Sequence, residues 1–151
     1  MMKKSLFLTC ILLVCVTVFA NAQSTSIFPK GKKSPNVHHV GNVWLTELNE
    51  ADSTFTYSTA VAIFDPGARL DWHTHPGGQI LIITEGTGYY QERGQARQTV
   101  RRGEVVKCQP GVEHWHGATP DQGVTYIATS PSLKGKTIWL DRVTDAEYGV
   151  K

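Results

Sequence analysis

An all-β domain, a small antiparallel sandwich or barrel, is predicted by two features of this 151-residue sequence. Short segments rich in Val, Ile, Thr, Tyr and Phe recur from Val43 onward, separated by turns built on Gly, Pro and charged residues. No stretch between Val43 and Ser130 carries a helical period. The length suits one domain with its own core, and no shift in composition marks a second.

Residues 1–22 read as a secretory signal peptide. Lys3 and Lys4 give a basic start, Ser5 to Ala20 is an almost unbroken apolar run, and Ala20-Asn21-Ala22 supplies a small-x-small cleavage pattern. The run is short for a bilayer span and has no charged distal flank. Cys10 and Cys15 lack the small preceding residue of a lipidated cysteine. The mature chain is therefore expected to be soluble and exported, periplasmic or secreted, with Cys108 as its single cysteine. One cysteine excludes an internal disulfide, and in a strand-like run it reads as a small buried hydrophobe.

Residues 23–42 are polar, contain Pro29 and Pro35 and lack apolar periodicity, which predicts a loosely docked N-terminal arm. His38 and His39 lie in it as neighbours; adjacent residues in an extended chain point to opposite sides, so they are not expected to share a metal. Residues 43–130 form the expected barrel, with strands near Val43–Leu48, Thr54–Phe64, Gln79–Thr84, Gly88–Glu92, Gln95–Val100, Glu104–Gln109 and Gly123–Thr129. Their punctuation is Asp65-Pro66-Gly67, Pro76-Gly77-Gly78, Glu85-Gly86, Arg93-Gly94, Arg102-Gly103, Pro110-Gly111 and Pro120-Asp121. Residues 131–151 form a C-terminal extension expected to pack on the barrel or on a dimer partner. Within it Ile138–Val143 is a strand or an extended arm, and Thr144 followed by Glu147 has the spacing of a capping box for a short helix.

Removing Lys3 and Lys4 lowers the fifteen basic residues to thirteen, against thirteen acidic ones. A balanced mature chain offers no electrostatic case for nucleic-acid or membrane partners and leaves a small molecule as the expected ligand.

Chemistry concentrates in two short stretches. In DWHTHPGGQ, His73 and His75 are two apart, so in an extended segment both rings leave one face while Trp72 and Thr74 leave the other. Imidazoles so placed reach a first-row divalent ion at roughly 2.0–2.2 Å. Pro76-Gly77-Gly78 turns the chain, and Gln79 opens the next strand with an amide oxygen available as a third ligand. The second stretch, Gly111-Val112-Glu113-His114-Trp115-His116, repeats the spacing after a Pro-Gly turn. If its strand lies beside the first pair, His114 becomes the fourth ligand and His116 looks into the same cavity. Backbone-bonded turn histidines are the usual fate of a single His, but two such pairs among turn-bounded strands point to one metal site. Trp72 and Trp115 alternate with the histidines and are assigned to the core behind them.

These residues resemble the cupin superfamily. Gly67, five residues, His73-Thr74-His75, three residues, Gln79, six residues and Gly86 match the first cupin motif, with Gln79 where Glu is usual. Gly103 to His114 resembles the second, with Pro110 displaced by one position and Ala118 in place of the terminal Asn. Within cupins, GARLDWHTHPGGQ, EHWHGA and the VTDAEY tail look like a small bacterial group that contains manganese-dependent hydroxynitrile lyases. The resemblance covers most of the mature chain. It implies a double-stranded β-helix, or jelly-roll barrel, with one metal in its mouth bound by His73, His75, Gln79 and His114, and an acid/base or supporting role for His116. It also implies a homodimer or homotetramer, since cupin barrels commonly pair through an edge sheet. Two positions depart from the lyases: Tyr126 stands where they carry a further histidine, and Leu70 where they carry Thr.

Gln79 in place of Glu leaves three neutral imidazoles and a neutral amide, so the charge of a bound ion is uncompensated and its Lewis acidity increased. The nitrogen-rich set disfavours magnesium and calcium; the expected ion is manganese, with iron, zinc, cobalt or nickel as alternatives. His116 is the expected general acid or base, because imidazole titrates near neutrality. Tyr126 is a candidate hydrogen-bond donor to a substrate oxygen, or a barrel-lining aromatic. A hydroxynitrile lyase-like carbon–carbon lyase is the first expectation. An oxygen-dependent dioxygenase-type oxidoreductase and a non-enzymatic metal or small-ligand binding protein are the alternatives.

Overall fold

Alternation of apolar and polar residues makes the strands of this chain, and the turns close them into a curled antiparallel barrel. The structure is a computed structural model that describes residues 26–35 and 37–149; the signal-peptide segment, with Cys10 and Cys15, lies outside the described residues. In chain order the strands are β1 (Lys32–Lys33), β2 (His39–Val40), β3 (Val43–Asn49), β4 (Tyr57–Phe64), β5 (Arg69–Leu70), β6 (His73–Thr74), β7 (Gln79–Glu92), β8 (Gln98–Arg101), β9 (Val105–Cys108), β10 (His114–Ala118), β11 (Val124–Pro131) and β12 (Ile138–Trp139), followed by the single-turn helix α1 (Asp145–Tyr148). Neighbouring strands run in the order β1-β3-β4-β11-β7-β10-β5-β2, all antiparallel.

The spine of the barrel is β7, which corrects an expectation. The Glu85-Gly86 dipeptide does not end one strand and start another; it lies inside a single strand of 14 residues. Gly86 has φ +72°, and a Cβ there would sit 2.0 Å from the Gly123 carbonyl oxygen, so glycine bends the strand where β11 crosses closely. The half of β7 before the bend pairs with β11 and β9, and the half after it pairs with β8 and β10. One strand thereby serves both sheets.

The interior divides in two. Val43, Ala62, Phe64, Leu81, Ile83, Tyr90, Cys108, Val124 and Tyr126 belong to the main buried cluster, so Cys108 is a packed hydrophobe. Behind the second sheet Trp72, Trp115, Val143 and Tyr148 form a smaller cluster, which places both tryptophans in the core. The C-terminal extension completes that cluster. Thr144 caps α1 in a full capping box with Glu147, and Gly149 ends the helix in a left-handed conformation. Tyr148 is thereby seated under the Arg69 guanidinium, 4.3 Å from its ring centroid, with its hydroxyl donating to the Ala118 carbonyl at 2.9 Å. Burial and its aromatic neighbour push the Tyr148 phenol up to about 12.

The N-terminal arm joins the barrel by two short strand ladders, with Lys32 opposite Leu45 and His39 opposite Leu70, and by further contacts such as the Lys30–Asp65 ion pair. The His39 ring nitrogens lie 2.7 Å from the Pro35 carbonyl oxygen and 3.1 Å from that of Gly41, so His39 is a fastener of its own loop.

Gly117 sets how closely β10 approaches β5. A Cβ at this position would lie 2.5 Å from the Ala68 carbonyl oxygen and 2.6 Å from the Arg69 Cα, both of them backbone atoms. Gly117→Ala is expected to destabilise the fold by about 1–3 kcal/mol, the usual range for overpacking. Chemical denaturation with an unchanged midpoint would refute it.

Candidate metal centre

Register brings the two histidine pairs together. His73 on β6 is the direct cross-strand partner of His114 on β10, so the two imidazoles rise from the same face of the sheet. Their ring centroids are 4.4 Å apart; His75 stands 5.0 Å from His73 and 5.5 Å from His114. His116, two residues along β10, is 5.1 Å from His73. Among the described residues, the donor atoms of His73, His114 and His116 all lie within 4.8 Å of one another. All four histidines are buried, His114 completely.

The hydrogen bonds of these rings determine which atoms face inward. His73 Nδ1 lies 2.8 Å from the Asp71 carbonyl oxygen and His114 Nδ1 lies 2.9 Å from that of Val112, so in each the Nδ1–H donates to the residue two back and Nε2 keeps its lone pair. His75 Nδ1 contacts the Thr137 hydroxyl at 3.2 Å, and the Gln79 amide donates to Ser130 Oγ at 3.1 Å. What remains are His75 Nε2, Gln79 Oε1, His114 Nε2 and His116 Nε2, all buried and without a hydrogen-bond partner. One such atom costs about 1–3 kcal/mol, and native interiors contain few of them. Of these four residues, His114 and His116 belong with His73 to the close trio of donor atoms, whereas His75 and Gln79 lie outside that trio and line the adjoining cavity; such a set fits an electrophile that takes lone pairs. The residues are compatible with a single metal ion, and their nitrogen-rich chemistry suits a first-row transition metal.

His116 and Tyr126 form a buried pair at the edge of this cluster, with Nδ1 2.6 Å from the phenolic oxygen. Tyr126 projects from β11 on the same side as Ala128 and Ser130, and all three line a cavity of about 650 Å³. His73, His75, Gln79 and His116 also line the cavity, and Val43, Leu45, Ala60, Ala62, Phe64 and Leu70 add an apolar wall. At the rim Trp139 stacks on His38 with centroids 4.6 Å apart and leans on His73 at 5.0 Å. The sequence does not mark Ser130, Thr137 or Trp139 as site residues, and the parity with His39 that sets His38 aside as a metal ligand leaves its place at the rim unforeseen. Only residue parity along β11 carried a signal for Ser130, and the other three reach the centre through tertiary pairing.

Burial keeps these imidazoles neutral. It holds His73 and His116 well below the usual imidazole range, with neighbouring imidazoles acting in the same direction, and it lowers His114 as well. His75 is brought down to about 4, first by burial and then by His114. Burial also pushes the Tyr126 phenol well above its ordinary value, so it stays protonated.

Unfolded histidine titrates near 6.5, whereas these folded rings resist protonation. Between pH 6.5 and about 4 the unfolded chain therefore binds more protons than the folded one, and stability falls as the pH falls through that window. Metal-free protein is expected to melt at progressively lower temperature from pH 7 to pH 4, with saturating manganese raising the curve most at the neutral end. A melting temperature independent of pH across this range would contradict the burial argument.

Residues 60–130 match the Cupin domain family. The chain is 41% identical to an (R)-mandelonitrile lyase from Granulicella tundricola over 117 residues, covering 77% of this chain and 89% of that protein. Among solved structures it resembles a cupin-like protein from Thermotoga maritima with a TM-score of 0.78 and 43% identity, covering 82% of this chain and 95% of that one. A predicted oxalate decarboxylase from the same organism shares the fold alone, with a TM-score of 0.59 and 20% identity over 72% of this chain and 91% of that one. A double-histidine site in the mouth of a curled antiparallel barrel, with this identity to relatives matched over most of their length, shows that the chain belongs to the cupin family.

Proposed function

We propose that this protein is a metal-dependent lyase that cleaves and forms the carbon–carbon bond of cyanohydrins. The observation that carries this reading is the set of three buried, unpartnered donor atoms, His75 Nε2, Gln79 Oε1 and His114 Nε2, beside the His116–Tyr126 pair at an apolar-walled cavity. The identity to an (R)-mandelonitrile lyase supplies the reaction class. His73, His75, Gln79 and His114 would hold the ion, with manganese the first choice and iron, zinc, cobalt or nickel the alternatives. When bound, the ion supplies Lewis acidity that polarises a hydroxyl or carbonyl oxygen.

The chain's own groups then handle the proton. His116 is neutral because it is buried, and when its Nδ1–H donates to the phenolic oxygen of Tyr126 its Nε2 carries a free lone pair. In that tautomer the Tyr126 O–H is released to donate to a substrate oxygen. His116 takes the cyanohydrin hydroxyl proton, and the O–H electron pair becomes the carbonyl π bond. The C–C bond breaks with its pair leaving on cyanide, which recovers the proton from His116, so the products are an aldehyde and hydrogen cyanide. The apolar wall holds the substrate's hydrocarbon body and excludes water from the proton path.

The test is direct. Manganese-loaded protein should split mandelonitrile to benzaldehyde faster than the His114→Ala variant, and equal rates would remove the lyase reading. Leu70, which lines the cavity, adds apolar surface where the lyases carry Thr, and this keeps an oxygen-dependent reaction on an apolar substrate in view. Oxygen consumption with aromatic diols or diketones, in the absence of cyanohydrin cleavage, would establish that alternative.

A further inference from the structure

The four proposed ligands are held in two different ways. His73 and His114 bond to the carbonyl groups of Asp71 and Val112, two residues back in sequence and just before their strands. His75 and Gln79 instead meet hydroxyl groups from the last part of the chain, Thr137 and Ser130. Ser130 closes the inward row of β11 beyond Tyr126 and Ala128. Thr137 directly precedes β12, which is fastened to the histidine strand by the pairs Ile138–Thr74 and Trp139–His73.

At Gln79 this contact decides the chemistry. The two ends of the amide differ: the oxygen has lone pairs to give, and the NH₂ group has only hydrogens. By accepting from the NH₂, Ser130 leaves Oε1 as the free end of the amide, buried and unpartnered on a residue that lines the cavity with His73, His75 and His116. The reverse orientation would present N–H groups to a cation. At His75 the Thr137 contact holds Nδ1, so the buried and unpartnered Nε2 is the nitrogen left to take a cation.

We infer that Ser130 and Thr137 are positioning residues that set the donor atoms of Gln79 and His75, so that metal affinity is controlled from the C-terminal part of the chain. This rests on the metal-centre reading above, and the test separates the two. Manganese affinity of the full mature chain is measured by competition with a chromophoric chelator, for wild type, Ser130→Ala and Thr137→Val. Each variant is expected to bind about ten- to a hundredfold more weakly, the range seen when a partner of a metal ligand is lost. Ser130→Thr and Thr137→Ser should restore the affinity, and metal-free melting temperatures should stay near wild type. In a Gln79→Glu background, Ser130→Ala should have little effect, because both ends of a carboxylate are oxygens. Unchanged affinity in Ser130→Ala and Thr137→Val overturns the inference while leaving the metal centre standing. An equal loss from Ser130→Ala in the Gln79 and Glu backgrounds also overturns it, since that marks a merely structural role. A wild-type chain that binds no manganese removes the metal centre and this inference together.

Discussion

Replacing His114 by Ala is expected to abolish metal binding and mandelonitrile cleavage together, with affinity reduced by more than about a hundredfold. His114 is the hinge of the proposed ligand set. It is completely buried, sits opposite His73 across the strand pair and stands within ring contact of both His73 and His75. Its ring is held by the Val112 carbonyl through Nδ1, which leaves Nε2 as the buried, unpartnered donor. Metal content after dialysis and initial cleavage rates are the two measurements. A variant that keeps its full metal content would show that His114 is not a ligand.

His116→Gln is expected to lower kcat by about 10²–10⁴, the usual contribution of a positioned general acid or base. Manganese affinity should stay near wild type. The split matters because His116 lies in the same tight trio of donor atoms as His73 and His114, so geometry alone allows it two roles. The hydrogen bond to Tyr126 favours the proton-transfer role, since it ties Nδ1 to a phenol that burial keeps protonated. Tyr126→Phe should then lower kcat by less than His116→Gln and leave metal content intact. If His116→Gln loses metal in parallel with activity, His116 is a ligand and another residue must move the proton.

Much of this was legible in residue spacing. Alternation of period two put His73 with His75 and set Trp72 behind them, and the two tryptophans occupy the cluster that this parity requires. The Thr144–Glu147 spacing located the one helix of the described residues together with its cap. Gly86 reads as a turn from sequence because glycine serves turns and in-strand bends alike. Only the close approach of Gly123 shows that the chain continues through it as one strand.

Spacing along the chain determined which residues carry donor atoms, because side-chain parity in a strand is local geometry. It pointed to His73, His75, Gln79, His114 and His116 before any strand was paired. Tertiary structure alone decided which atom of each residue faces the cavity. That choice depends on hydrogen-bond partners distant in sequence: Ser130 for Gln79, Thr137 for His75 and Tyr126 for His116. A strand has period two, but nothing in that period says which strand will lie alongside; β6, β10, β11 and β12 meet only when the bent β7 carries both sheets around one interior.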